Sequence, residues 1–481
     1  MQAQLKNMVT TANARVFAVV ASCFLLTSTG YLVWLYRLMA AQVAPESIDL
    51  LSMVIGYAFQ AAGVGLYAAL LSRRPTLDMR RFTLGAMAVY LICLIAVILG
   101  ESLAGILTFG YAANLLCGVI AAYYLHCLAG IVPENRRGTV FGCGYAIASL
   151  GSWLLSLPFE GMLLQSAMSL AVLLALDALA VATIMAIPQN SPLTTSFAAN
   201  ANNPDVGHDN AESASSSSAL DGTPPASMHT SRALLVLASF TVIAICLVKG
   251  LGDSFPTADL EAGVSLEFSR LFYAVGLVIA GVISDRDRRV GMACCIAALA
   301  MPFISLSLEG APLPSLIMWC LGYFLFGFFA VFRVILFSDL ASRSGRMELS
   351  GWGLAFGRVG DTLGVGICLL LTTQKTALVV IAALLFAASV ILALQLHQRL
   401  YATAAVREQE ELRAFEAFCA RYELSARERE VLRCLLDEKS NPQIATELFI
   451  SENTVKFHVR NLLKKTDCKN RVELRGKYTA N

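Results

Sequence analysis

Apolar residues in this chain come in long, nearly unbroken runs. A helix needs roughly 20 predominantly apolar residues to cross a bilayer. Runs of that order fall near 15–39, 47–71, 82–100, 103–131, 139–157 and 160–187, and again near 233–252, 265–284, 290–308, 313–340, 350–373 and 376–397. The pattern predicts twelve membrane helices in two sets of six, 1–187 and 233–398. Residues 188–232 separate the sets. They are rich in Ser, Ala, Asn and Pro, include Ser215–Ser218, and hold almost no large apolar side chain. Such a stretch cannot build a core, which predicts a disordered linker. After residue 398 the long runs stop and short amphipathic stretches begin.

Composition sharpens this picture. Only 15% of the 481 residues are charged, against about 25% in soluble proteins. The last 83 positions hold 29 of the chain's 70 Lys, Arg, Asp and Glu residues. That split excludes both an ordinary soluble enzyme and a uniform membrane protein. It predicts a membrane part followed by a small soluble domain. Ten of the 13 cysteines lie in the apolar runs and three in the charged tail, with no CxxC or disulfide framework. No cleavable signal peptide precedes the first run.

Basic residues in short loops set orientation. With a cytoplasmic N-terminus, Arg73, Arg74, Arg80, Arg81, Arg136, Arg137, Arg286, Arg288, Arg289, Arg343 and Arg346 fall inside. The loops then facing outside carry Glu46, Glu101, Glu160, Asp253, Asp259, Glu261 and Glu309, with Lys375 the one basic loop residue. Twelve crossings return the C-terminus to the cytoplasm. The expectation is a multi-pass protein of a bacterial cytoplasmic membrane, with the lipid bilayer as one partner.

The halves repeat. Gly142-Cys-Gly144 and Gly351-Trp-Gly353 open the fifth and eleventh runs at an offset of 209, which also pairs Gly151 with Gly360. Gly281-Val-Ile-Ser-Asp285-Arg-Asp-Arg-Arg289 follows the eighth run. It resembles the Gly-x-x-x-Asp-Arg-x-Gly-Arg-Arg loop of the major facilitator superfamily, with Asp287 where the family usually has glycine. The first-half loop, Leu71-Ser-Arg-Arg74-Pro, keeps the arginines without the aspartate. The resemblance spans about 380 residues. It implies a transporter-like bundle with a site between the halves, without fixing what that site does.

Ionisable residues deep in a membrane face a bundle interior. Arg333, Arg358, Asp361 and Asp177 are the candidates here, with Lys249, Arg270 and Glu101 nearer helix ends. Arg358 and Asp361 share a helix face. Two readings stand. The charges neutralise one another as a strut between helices, or their positive surplus binds an anionic or polar small molecule, with Phe328 and Phe332 beside it. Phe324, Phe329 and Phe356 lie near the same level, lining a pocket for a flat ligand or filling gaps in the packing. His126 reads as structural.

The tail carries the most specific signal. Leu412, Phe415, Cys419 and Tyr422 share one face of a connector helix over 399–423. Ser425 and Glu428 form a capping box before an apolar stripe of Val431, Leu432 and Leu435. A short helix follows with Pro442 in its first turn, then a tight turn at Phe449-Ile450. Ser451 caps a third helix, and a final short one covers 471–478. Residues 401–448 hold 7 Lys/Arg against 10 Asp/Glu, and 449–481 hold 8 against 3. Positive charge therefore gathers around the second helix of a helix-turn-helix, where DNA phosphates require it.

The motifs Leu424-Ser-x-Arg-Glu-x-Glu-Val-Leu, Asn441-x-x-Ile-Ala and Ile450-Ser-x-x-Thr-Val-Lys-x-His resemble the LuxR-type DNA-binding domain. Glu438 stands where that family often has glycine. The resemblance implies a four-helix domain over 424–481 and a homodimer on an inverted repeat of double-stranded DNA. It implies base contacts from Lys456, Phe457 and Arg460. Phosphate contacts would come from Asn453, Thr454, His458, Lys464 and Lys465. Lys464 and Lys465 also read as a solvated helix end, and His458 as packed against the first helix.

The whole chain is thus expected to be all-α: a facilitator-like twelve-helix bundle and a LuxR-type domain. No catalytic triad, metal cluster, nucleotide-binding loop or cofactor motif points to an enzyme. The expected function is a one-component membrane regulator that senses a small molecule. An active transporter with a fused regulatory domain, or a tethered DNA-binding protein blind to ligands, are the alternatives.

Overall fold

A computed structural model describes residues 2–74, 76–156, 166–188, 232–253, 266–300, 312–371, 373–437 and 439–479. The expected linker, apart from its end residues 188 and 232, lies outside the described residues, as does Glu438. No strand occurs among the described residues. The chain divides into two compact units, Met1–His397 and Gln398–Asn481.

The first unit is a helical bundle. Its elements are α1 (Gln2–Ala40), α2, α3 (Met79–Leu99), α4 (Leu103–Ile131), α5 (Glu134–Ser156), α6 (Ser166–Met185), α7 (Arg232–Asp253), α8 (Leu266–Arg286), α9 (Arg288–Ala298), α10 (Pro312–Ser344), α11 (Trp352–Leu370) and α12 (Lys375–His397). Element α2 has three contiguous parts: Pro45–Asp49, a π-helix over Leu50–Gly56, and Tyr57–Arg73. Helices are the physical solution for these runs, because a bilayer interior offers no water to satisfy backbone N–H and C=O groups.

Ten of the helices among the described residues are long and apolar enough to cross a membrane. The runs near 265–284 and 290–308 correspond to α8 and α9. Helix α9 has 11 residues, and residues 301–311 lie outside those described. At 1.5 Å per residue α9 covers only about 16 Å, roughly half a bilayer core.

Helix packing follows the sequence repeat. The pairs α1–α5, α2–α4, α1–α6 and α2–α11 recur six helices on as α7–α11, α8–α10, α7–α12 and α8–α5. Glycine makes the closest of these crossings possible. A methyl group on Gly63 would collide with the Leu115 carbonyl where α2 meets α4, and one on Gly276 with the Phe324 carbonyl where α8 meets α10. The glycines of the 209-residue repeat behave alike. Gly142 rests on Leu277 of α8 and Gly351 on Val64 of α2, while Gly151 meets Leu25 of α1 and Gly360 meets Ile243 of α7. Close backbone approach is how such helices gain dispersion contacts without a hydrophobic driving force.

A charged cluster joins the halves at the end where the loop arginines gather. Arg137 is 3% exposed and pairs with Asp339 at 2.9 Å. Its remaining N–H groups reach the carbonyls of Val132 at 2.9 Å, Ala129 at 2.7 Å and Ser338 at 3.3 Å. Asp285 accepts from the Gly138 and Thr139 N–H groups at 2.7 and 2.6 Å, a carboxylate on the first turn of α5. Arg288 links Asp285 and Asp339, each at 3.0 Å. Glu134 pairs with Arg343 at 3.0 Å. Asp287 has extended backbone at φ −150° and caps α9 through the Arg289 N–H. No glycine conformation is needed there.

The second unit holds α13 (Thr403–Arg421), α14 (Ala426–Leu436), α15 (Asn441–Leu448), α16 (Glu452–Lys465) and α17 (Arg471–Thr479). Phe415, Phe418, Cys419, Leu424, Val431, Leu432, Leu435, Ile444, Val455, Leu462 and Leu474 form its core. The expected face of α13 is corrected at its first residue. Leu412 is 51% exposed, because core contact begins one turn later at Phe415, and Phe418 takes the place that i+3 spacing leaves open. Tyr422 packs on the core's edge.

Gly276→Val should force α8 and α10 apart, at a cost of about 3 kcal/mol. Thermal unfolding of the detergent-purified chain checks this, with Gly322→Val, where nothing lies within 4 Å of the added Cβ, as the tolerated control.

Candidate DNA-reading helix and membrane cavity

The helix-turn-helix is built by its caps. Ser425 and Glu428 exchange the two bonds of a capping box at the start of α14, and Ser440 with Gln443 does the same for α15. Phe449 ends α15 in the left-handed region, φ 54° and ψ 45°. The Ile450 N–H returns to the Ala445 carbonyl at 3.0 Å, which turns the chain into α16. Ser451 Oγ then accepts from the Thr454 N–H at 3.1 Å. The apolar stripe of α16, Val455, Val459 and Leu462, is buried, so its polar stripe faces outward.

The expected base readers share that outward stripe. Lys456, Phe457 and Arg460 are exposed, with Phe457 at 50%. The Arg460 guanidinium lies 5.8 Å from the Phe457 ring centroid. Asn453 and Lys464 are exposed, and Thr454 and His458 half-buried. Thr454 Oγ1 is 2.8 Å from Ser451 Oγ, so this hydroxyl serves the cap.

Lys465, expected at phosphate, lies exposed at the end of α16 and makes an ion pair within the domain. Its ammonium donates to Glu428 Oε2 and to the Glu423 carbonyl, both at 2.8 Å. The bond fastens the end of α16 to the start of α14. Glu428 is 4% exposed. Burial pushes its carboxyl up, but Lys465 and the Ser425 cap outweigh that and hold it below the ordinary 4.5. Sequence reading identified the Glu428 cap and missed its partner 37 positions away.

In the bundle, a cavity of about 470 Å³ is lined by α1, α2, α4, α5, α7, α8, α10 and α11. Arg333, Arg358 and Asp361 all line it, together with Lys249. The carboxylate of Asp361 faces Arg333 at 3.5 Å, Lys249 at 3.6 Å and Arg358 at 4.0 Å. Arg358 lies 3.9 Å from the Tyr57 ring centroid, across the interface of the halves. Phe328 and Phe332 are buried outside the lining, Phe328 against Phe324. Phe326 and Phe329 occupy the cavity wall instead. The sequence gives the depth of these rings, and the rotation of α10 decides which face the space. Lys249 sits four residues from the end of α7, so run position alone gave no sign that it belongs to this cluster. His126 is buried, with Nδ1 2.8 Å from the Tyr67 hydroxyl, and Asp177 is half-buried away from the cavity.

The bundle therefore has the architecture of a major facilitator protein, in a multi-pass membrane chain that also carries a helix-turn-helix. Solved structures agree on the fold. The E. coli fucose:proton symporter FucP superposes with a TM-score of 0.55 at 15% identity, covering 79% of this chain and 98% of that one. The human organic anion transporter MFSD10 superposes with a TM-score of 0.52 at 16% identity, over 79% and 99%.

Residues 422–475 match the family of bacterial regulatory proteins known as the luxR family, so the C-terminal unit contains a LuxR-type DNA-binding domain. A nitrate/nitrite response regulator homolog of Haemophilus influenzae is 55% identical over 49 residues, 10% of this chain and 24% of its own length. The uncharacterized regulatory protein YhcZ of Bacillus subtilis is 50% identical over 52 residues, 11% and 24%. These relatives are thus matched over about a quarter of their length, within the DNA-binding domain.

Lys465→Ala should cost the C-terminal domain about 2 kcal/mol, the scale of a charge-assisted hydrogen bond, measured by urea unfolding of residues 398–481. Because the folded pKa of Glu428 is depressed, its contribution is full above pH 4.5 and is lost as pH falls below that value. Glu428→Gln should flatten this acid limb of the stability curve.

Proposed function

We propose that this protein is a one-component transcriptional regulator held in a bacterial cytoplasmic membrane by a twelve-span facilitator-like bundle, with both termini in the cytoplasm. The observation that carries the proposal is the joining, in one polypeptide, of a LuxR-type reading helix with its polar face exposed and a bundle enclosing a charged cavity. A small molecule in the cavity favours one arrangement of the two halves. That bias reaches the DNA-binding domain along α12 and α13. Transmission requires the ligand to bind the two arrangements with different affinity.

On DNA the domain acts as a homodimer on an inverted repeat. Lys456, Phe457 and Arg460 read base edges, Lys and Arg at guanine and Phe457 at a thymine methyl. Asn453, Thr454, His458 and Lys464 contact phosphate. Lys465 stays with Glu428 and positions α16.

The facilitator fold itself favours a second reading, an active transporter with a fused regulatory domain. Uptake assays with membrane vesicles separate the two. Transport predicts flux that Arg358→Ala abolishes while DNA binding persists, whereas sensing predicts a ligand-dependent reporter without flux.

Lys456→Ala combined with Arg460→Ala should weaken specific DNA binding about 100-fold or more, each contact contributing on the order of 1–3 kcal/mol. Electrophoretic mobility shift against the promoter selected by the wild-type protein tests this. Sequence-specific binding retained by the double variant would remove these residues from the reading surface.

A further inference from the structure

We propose that the central cavity recognises an organic anion with a flat aromatic body. Its oxyanion is held by Arg333, Arg358 and Lys249, and its rings lie against the aromatic wall. This deepens the sensor reading above and rests on it.

Two charged clusters in the same bundle show the contrast that carries the inference. At the basic end, Arg137–Asp339, Arg288–Asp285 and Arg288–Asp339 close to 2.9, 3.0 and 3.0 Å, near the range of full charge-assisted hydrogen bonds. In the cavity, the three cations stand off Asp361 at 3.5, 3.6 and 4.0 Å. The Nε atoms of Arg333 and Arg358 are buried without a hydrogen-bond partner, and so is Asp361 Oδ1. A structural strut closes its bonds, since a buried charged donor left unmade is costly. Arg333 and Arg358 keep donors unspent.

The charge count agrees. Among the described lining residues, the two arginines Arg333 and Arg358 already outnumber the one carboxylate, Asp361, before Lys249 is counted. Such a surplus in a low-dielectric site is unfavourable alone and favourable once an anion enters. Among the described lining residues a cationic ligand finds one carboxylate, Asp361, with three positive groups beside it. A sugar needs paired amide and carboxylate partners around its hydroxyls. The lining offers Asp361 and Gln60, and the Gln60 amide donates to Asn114 Oδ1 at 2.7 Å.

The wall sets the body of the ligand. Six tyrosines, four phenylalanines and two tryptophans line the space. Tyr57 and Phe326 hold the Arg358 and Lys249 heads by cation–π contact, at 3.9 and 5.1 Å from the ring centroids. A stacked guanidinium keeps its in-plane N–H donors for a planar oxyanion. The volume of about 470 Å³ suits a ligand of one or two fused rings.

The test uses the full chain in lipid nanodiscs and three probes that share a body and differ in charge: 2-naphthoate, 2-naphthamide and 2-naphthylmethylamine. Thermal stabilisation is titrated for wild type, Arg358→Gln and Lys249→Gln. The second variant keeps the test valid if the first fails to fold. Naphthoate is expected to stabilise the wild type, the amide and amine to do so at least tenfold more weakly, and each variant to lose about 30-fold or more in naphthoate affinity. Equal or stronger binding of the amide or amine overturns the anion assignment and leaves the sensor reading standing. Undiminished naphthoate binding in the folded variants also overturns it. Silence of all three probes on the wild type, together with a reporter that no aromatic compound of any charge alters, overturns both.

Discussion

The bundle depends on the buried guanidinium of Arg137. From the first turn of α5 it reaches the carbonyls that end α4 and the Asp339 carboxylate near the end of α10. One side chain thus ties a helix terminus of the first half to the second half. Asp285 completes the tie from the opposite direction, across the N-terminus of α5. Arg288 connects the two carboxylates. A buried charge without partners costs several kcal/mol, so these groups hold together or the ends separate and hydrate.

The cavity cluster has the opposite design. The same residue types stand at longer distances, 3.5, 3.6 and 4.0 Å, and the Nε atoms of both arginines stay without a hydrogen-bond partner. The π-helical turn of α2 brings the halves together beside it. The Thr362 hydroxyl lies 3.4 Å from the Met53 and Val54 carbonyls of that turn, and Tyr57 follows it to stack on Arg358. Irregular turns of this sort occur often at functional sites. Here one places a first-half aromatic on a second-half cation, so the environment of Arg358 depends on how the halves meet.

The C-terminal unit uses a similar economy on a smaller scale. The Glu428 carboxylate accepts from two donors, the Ser425 N–H and the Lys465 ammonium, both at 2.8 Å, from a buried position. The end of α16 is thereby held against α14 while the start of α16 is held by Ser451. Lys456, Phe457 and Arg460 project from the stretch between these fixed points.

Much was legible in the sequence because it rests on local rules. Run length and loop arginines mark membrane helices, and the caps at Ser425 and Ser451 with the stripe Val455, Val459, Leu462 define the DNA-reading helix. The glycine offset of 209 announced a repeat that the packing pairs repeat helix by helix. What only the tertiary structure decided are pairings over long separations. Arg137 and Asp339, Lys249 and Asp361, Glu428 and Lys465 are partners because helices bring them together. Rotation of α10 put Phe326 and Phe329 on the cavity wall in place of Phe328 and Phe332. In an apolar run every side of the helix reads alike, so hydropathy carries depth but no direction, and direction is settled by the neighbouring helices.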